Sequence, residues 1–175
     1  MDDDDVYIEP EESEQDFVIS TEPVVVTDYS GHARNALQSA ETAASIAPDG
    51  VLTCEHLLLS LADDGNCAAA QVMAQCGFTG ASIAQTIAFI GGTAATHEPA
   101  KAAIHSPRVE RVLTTASVEA GNRNAAQIDT LHLLFGLIRE QQGIAVAALE
   151  TPGVRNEMIG AALSSAMRNG MTDPS

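Results

Sequence analysis

The sequence predicts an all-α fold built from two tandem copies of a four-helix unit, preceded by an acidic segment without regular structure. Three observations carry this prediction. A block of residues recurs at a constant offset, and the apolar residues of each copy keep helical spacing. The apolar content is dominated by Ala, Leu, Ile and Val, with no Trp and 3% aromatic residues. That composition suits closely packed helices more than sheets.

The recurrence is clearest where His56-Leu57-Leu58-Leu59-Ser60-Leu61 matches His132-Leu133-Leu134-Phe135-Gly136-Leu137, an offset of 76 residues. Without a gap, the same offset pairs Ser30 with Ser106, Leu37 with Leu113, Ala40 with Ala116 and Ala44 with Ala120. It also pairs Ala69 with Ala145, Gly77 with Gly153 and Ile83 with Ile159. A fixed register over this length indicates duplication of one unit, and two copies suggest a pseudo-symmetric pair.

Residues 1–28 hold eleven acids and no Lys or Arg, within a chain of formal net charge −16. Acidic, Pro-containing and without apolar periodicity, they read as a disordered tail. Val24-Val25-Val26 is a short apolar run suited to docking on the body or adding to an edge.

In the first copy, Ser30 is placed to cap a helix with Ala33, Ala36, Leu37, Ala40 and Ala44 inward, and Pro48-Asp49-Gly50 ends it. Thr53 precedes a second helix, with Leu57, Leu58 and Leu61 inward, ending near Asp64-Gly65. A third runs from about Cys67 to Cys76 and stops at Gly77. Thr79 opens a fourth, with Ile83, Ile87 and Ile90 on one face.

A linker over residues 91–104 leads to the second copy. Ser106-Pro107 supplies an N-cap and a Pro at the first helical position. Val109, Val112, Leu113, Ala116 and Ala120 form the inward face. Asp129 or Thr130 opens the next helix, Pro152-Gly153 closes the third, and Met158, Ile159, Ala162 and Leu163 line the last. Residues 170–175 read as a second tail. Helices this short need each other's packing to persist.

The strong acidity argues against nucleic acid or anionic membrane as a partner. No basic-then-apolar leader follows Met1, and charged or amide residues interrupt every apolar stretch. Cys54, Cys67 and Cys76 are an odd set without metal-ligand spacing, so reduced thiols and a cytoplasmic setting are expected, with no cofactor. His56 and His132 occupy matching positions without a second ligand at a recognised spacing, which favours packing or hydrogen bonding. His97 and His105 flank the linker with Glu98 and Lys101 and read as a solvated loop. Cys54 lies at a helix N-terminus, where thiol pKa values fall, but no base or oxyanion arrangement accompanies it.

Glu55-His56-Leu57-Leu58-Leu59-Ser60-Leu61, followed by Asp64-Gly65, Ala68-Ala69 and Val72-Met73, resembles the Clp N-terminal repeat. That repeat usually reads Thr-Glu-His-Leu-Leu-Leu-Gly-Leu, then an acidic-glycine turn and an Ala-rich helix. His132-Leu133-Leu134-Phe135-Gly136-Leu137, followed by Gly143-Ile144-Ala145, is similar to the same motif. The resemblance covers residues 29–169, repeat one at 29–90 and repeat two at 105–169. It implies an eight-helix pseudo-dimer that binds a Clp unfoldase, its adaptors or its substrates. No Gly-x-x-x-x-Gly-Lys-Ser/Thr phosphate loop occurs, so a free-standing, non-catalytic module that modulates proteolysis is expected. The alternative is a sensor of a modified peptide or small molecule.

In ClpC-type domains the motif glutamate helps bind phosphoarginine. By that resemblance the first site survives in part, with Glu55 present and Cys54 in place of the usual Thr, while Glu55 also suits a first-turn acid favoured by the helix dipole. In the second copy Thr130 is followed by Leu131 instead of glutamate. Leucine cannot accept hydrogen bonds from a guanidinium group, so the second pocket is expected to be lost. His56, Leu57, Leu58 and Leu61, with His132, Leu133, Leu134 and Leu137, are the structural residues of the two motifs.

Overall fold

The computed structural model describes residues 25–91, 103–141, 143–150 and 156–174. Among them are eight helices: α1 (Gly31–Ser45), α2 (Cys54–Asp63), α3 (Ala68–Gln75), α4 (Gly80–Gly91), α5 (Pro107–Asn122), α6 (Thr130–Glu140), α7 (Ile144–Ala148) and α8 (Asn156–Arg168). Each helix of the first copy starts 76 residues before its counterpart, so the offset seen in the sequence is the offset of the fold.

Local chemistry sets these starts. The Ser30 hydroxyl accepts from the Ala33 amide at 3.1 Å, and Ser106 accepts from Val109 at 3.3 Å. Asp129 accepts from the His132 amide at 3.1 Å, while His132 Nδ1 accepts back from the Asp129 amide at 3.1 Å. His56 accepts likewise from the Thr53 amide at 3.2 Å. The matched histidines are therefore the return arms of two capping boxes. Gly77, at φ +87°, takes the left-handed turn that stops α3.

Two very short strands, absent from the sequence reading, join the copies. β1 (Val51–Leu52) pairs in parallel with β2 (Ile104–His105), and Tyr29 makes the equivalent parallel bridge with Ile128. The segment before each copy thus pairs with the interior of the other. The Ser30 amide donates to the Ile128 carbonyl at 2.9 Å, and the Ser106 amide to Leu52 at 3.0 Å. This reciprocal exchange sets the start of α1 beside that of α6, and the start of α5 beside that of α2.

One continuous core fills the space between the copies. Ala33, Ala36, Ala40 and Ala44 bring α1 close to its neighbours, and Leu57, Leu58, Leu61, Leu133, Leu134 and Leu137 interlock between α2 and α6. Burial fades along α4: Ile83 is fully buried and Ile87 half-buried. Ile90, on the same face, is 45% exposed in the last turn. Met158, expected inward, is 52% exposed because the α8 stripe runs through Ile159 and Leu163, leaving it at the margin.

Of the acidic segment, residues 1–24 lie outside the described residues. Residues 25–28 dock on the body: Val26 packs against the core, its carbonyl accepts from the Ser117 hydroxyl, and the Asp28 carbonyl accepts from Ile128. Most of the linker, including His97, Glu98 and Lys101, and the Pro152-Gly153 stop also lie outside the described residues. His105, read as part of a solvated loop, lies 3.2 Å from Glu41 and 2.9 Å from Glu110 and so ties β2 to α1 and α5.

At Gly136 the backbone of α6 packs directly against α5. A Cβ there would meet the Val112 carbonyl oxygen at 2.5 Å and Val112 Cγ1 at 3.0 Å. Gly136→Ala gains up to about 1 kcal/mol of helix propensity. Overpacking against backbone costs about 1–3 kcal/mol, so net destabilisation is expected in denaturant titration. Ser60→Ala, the equivalent substitution in the first copy, is expected to be near neutral, since Ser60 already carries a Cβ and is half-buried.

Candidate functional site

The exchanged strands bring helix N-termini together at two related seams, and a cavity opens at the second. The second cleft gathers the starts of α1, α3 and α6 around Asp173, in the segment expected to be a tail. Its carboxylate accepts from the Ser30 hydroxyl at 2.6 Å, the Thr130 amide at 3.0 Å, the Ala68 amide at 3.1 Å and the Thr130 hydroxyl. The Thr130 hydroxyl itself accepts from the Ala69 amide at 3.1 Å. Burial alone would raise the Asp173 pKa, but these donated hydrogen bonds outweigh it and hold the carboxyl below its ordinary value. Three positive helix ends favour an anion at this point. A cavity of about 410 Å³ adjoins Asp173, bordered by Ser30, Arg123, Asp129, His132, Met167 and Met171.

The first seam brings together the starts of α2 and α5 and the end of α6. Cys54 is buried at the position matching Thr130, and Glu55 follows it, half-buried, in the first turn of α2. Arg111 grips Glu140 with Nε at 3.1 Å and Nη2 at 2.6 Å, and Arg108 Nε lies 3.9 Å from the same carboxylate. Hydrogen bonding from Arg111 holds Glu140 below the usual carboxylate range. The charges of Glu55, Glu140, Arg108 and Arg111 all reach Cys54.

Burial, with Glu55 and Glu140 adding to it against the two arginines, pushes the Cys54 thiol up to about 11. This reverses the lowering expected at a helix N-terminus, because desolvation of a buried thiolate outweighs the helix dipole. Cys67 and Cys76 are raised mainly by burial as well. Two pKa units leave about 100-fold less thiolate. Iodoacetamide is therefore expected to alkylate Cys54 in the folded protein at least about 100-fold more slowly than after unfolding, as read by mass spectrometry.

The sequence-selected residues are split by the fold. Cys54 and Glu55 share the first seam, whereas Thr130 lies in the second with its amide and hydroxyl engaged by Asp173. Leu131 is fully buried in the common core. His56 borders a groove of about 570 Å³ between α1 and α2, together with His32, Asn35, Leu59, Asp63 and Asp64.

His32 Nδ1 lies 2.5 Å from the Asp64 carboxylate at one end of this groove. The repeat offset maps this pair onto Arg108 and Glu140, a correspondence present in the sequence but visible only when acids and bases are compared across copies. Hydrogen bonding to Asp64 raises the His32 pKa above 6.5, with Asp173 contributing charge. A raised folded pKa gives stability that is full below the unfolded value and lost as pH rises through the folded one. The His32 NMR titration midpoint is expected above 6.5 and is expected to fall in Asp64→Asn.

The Clp repeat (R) N-terminal domain family matches residues 28–120 and 104–175, covering most of the chain in two overlapping copies. The chain is similar to the chaperone protein ClpB of Oceanobacillus iheyensis, 30% identical over 100 residues, which is 57% of this chain. That match spans 12% of the ClpB length. In fold it resembles the N-terminal domain of the chaperone ClpD from Arabidopsis thaliana, with TM-score 0.66 and 19% identity over 80% of this chain and 94% of that one. It also resembles a ClpV N-domain solved in complex with a VipB peptide, with TM-score 0.63 and 17% identity over 89% of this chain and 99% of that one.

Proposed function

The chain belongs to the family of Clp repeat N-terminal domains, and from that premise we propose that it is a non-catalytic protein-interaction module. Its partners are a Clp unfoldase or protease, their adaptors or their substrates, in the cytoplasm, and its effect is to modulate regulated proteolysis. The observation that carries this reading is the cavity of about 410 Å³ at a seam between the two repeats. Polar side chains such as Arg123 and His132 border it together with the apolar Met167 and Met171, a combination suited to holding a peptide segment. The same fold in the ClpV N-domain accompanies a bound peptide in that protein.

Crosslinking in the native cell followed by mass spectrometry tests the proposal. A Clp component, adaptor or protease client is expected among the captured proteins, with capture reduced by substitutions at the seams. Recovery of none of these classes would refute it.

A second reading has support from the first seam alone, where the charges of Glu55, Arg108 and Arg111 all act on Cys54. There a modified peptide carrying phosphoarginine would set its guanidinium on Glu55 and its phosphate toward the arginines. Calorimetry with phosphoarginine should then show binding to the wild type and at least a tenfold weaker interaction with Glu55→Ala. Equal affinities, or no heat with either protein, would remove this reading.

A further inference from the structure

We propose that the segment following α8 is a built-in plug: Asp173 closes the second cleft in cis, and an oxyanion carried by a partner protein opens it by taking the place of that carboxylate. This rests on the reading of the chain as a protein-binding module and adds a gate to it.

The donors around Asp173 are surplus to ordinary helix capping. α1 is already capped by Ser30, α6 by Asp129 and α3 by Cys67, whose sulfur accepts from the Ala70 amide at 3.3 Å. Four further donors nevertheless converge on one point: the Ser30 and Thr130 hydroxyls and the Ala68 and Thr130 amides. They come from three helices distant in sequence and form a seat for two oxygen atoms. A carboxylate occupies it here, which shows that the seat takes an oxyanion.

The occupant is carried on a short strip that follows α8. The chain turns at Gly170, with φ +73°, and the Met171 amide donates to the Ala166 carbonyl at 3.0 Å. Met171 and Asp173 face inward, half-buried, whereas Gly170, Thr172 and Pro174 are exposed. Displacing the strip requires giving up the Asp173 hydrogen bonds and the Met171 packing, with the helices left in place. The adjoining cavity of about 410 Å³ gives a partner side chain room to approach, with Arg123 at its border. The two seams are thereby made inequivalent. At the matching place in the first seam Cys54 replaces Thr130, and the residue equivalent to Asp173, His97, lies outside the described residues.

Amide NMR on the whole 175-residue chain tests the plug. Two probes distinguish the source of the oxyanion: inorganic phosphate and a short N-acetylated aspartyl peptide. In Asp173→Ala, the Ala68 and Thr130 amides are expected to shift saturably at concentrations at least tenfold lower than in the wild type. A response to phosphate alone would assign a phosphorylated partner, and a response to the aspartyl peptide an acidic one. In the wild type, the same shifts should accompany faster hydrogen exchange at residues 171–173.

Amides that ignore both probes in folded Asp173→Ala would overturn the proposal. So would wild-type shifts that leave residues 171–173 protected, because plug and probe would then not compete. If Asp173→Ala does not fold, the wild-type exchange experiment decides. These readouts do not depend on recovering a native partner, so failure of the plug and failure of the interaction module are distinguishable.

Discussion

Asp173→Ala is expected to lower the unfolding free energy by about 2–4 kcal/mol, an effect large for a residue beyond the end of the last helix at Arg168. The substitution leaves the Thr130 and Ala68 amides and two hydroxyls without the acceptor that joins them. Unsatisfied donors at buried positions cost about 1–3 kcal/mol each, less where water can enter. The adjoining cavity admits water, which sets the total below the sum of four such costs. Asp173→Asn keeps one acceptor oxygen and should lose less. Because the folded-state pKa of Asp173 is depressed, its stabilisation is fully present above the unfolded value of about 4 and is lost as pH falls through the lower folded value. Urea titrations should therefore show a wild-type minus Asp173→Ala difference that is flat above about pH 5 and shrinks in stronger acid. A difference that grew on acidification would contradict the hydrogen-bond account.

Leu131→Glu should cost about 3–5 kcal/mol or prevent folding, even though it restores the glutamate usual in the repeat motif. Leu131 is fully exposed to its neighbours and not to water: its relative solvent exposure is 0%. A carboxylate there loses hydration without gaining a cation, and its pKa rises until it folds only when neutral. Stability of the variant should consequently improve as pH is lowered, opposite in sign to Asp173. Glu55, at the matching position, is half-buried and so keeps contact with water. A Leu131→Glu protein as stable as the wild type at pH 7 would show that the second cleft can reopen around the restored motif.

The contrast between Glu55 and Leu131 marks how far the sequence could be read. The substitution was visible as the loss of a hydrogen-bond acceptor; its structural counterpart, a leucine absorbed into the shared core, was not. Cys54 is similar. Its helix-terminal position was legible, but the sign of its pKa shift depends on desolvation by residues folded over it. Ile90 and Met158 continued their helical stripes correctly in sequence yet emerge at the surface, because periodicity gives a face and not the extent of the partner covering it.

By itself the sequence determined the eight helices and their duplication, because caps, breakers and apolar spacing act over a few residues and recur at one offset. The histidines of the two motifs close capping boxes within a single turn, a contact of the same local kind. The tertiary structure alone decided which helix ends meet. Asp173 has partners 43, 105 and 143 positions away, and Tyr29 pairs with Ile128. No local pattern encodes such contacts. They arise because exchanged strands bring distant helix N-termini to one point, where a carboxylate completes hydrogen bonds that no neighbour in sequence can reach.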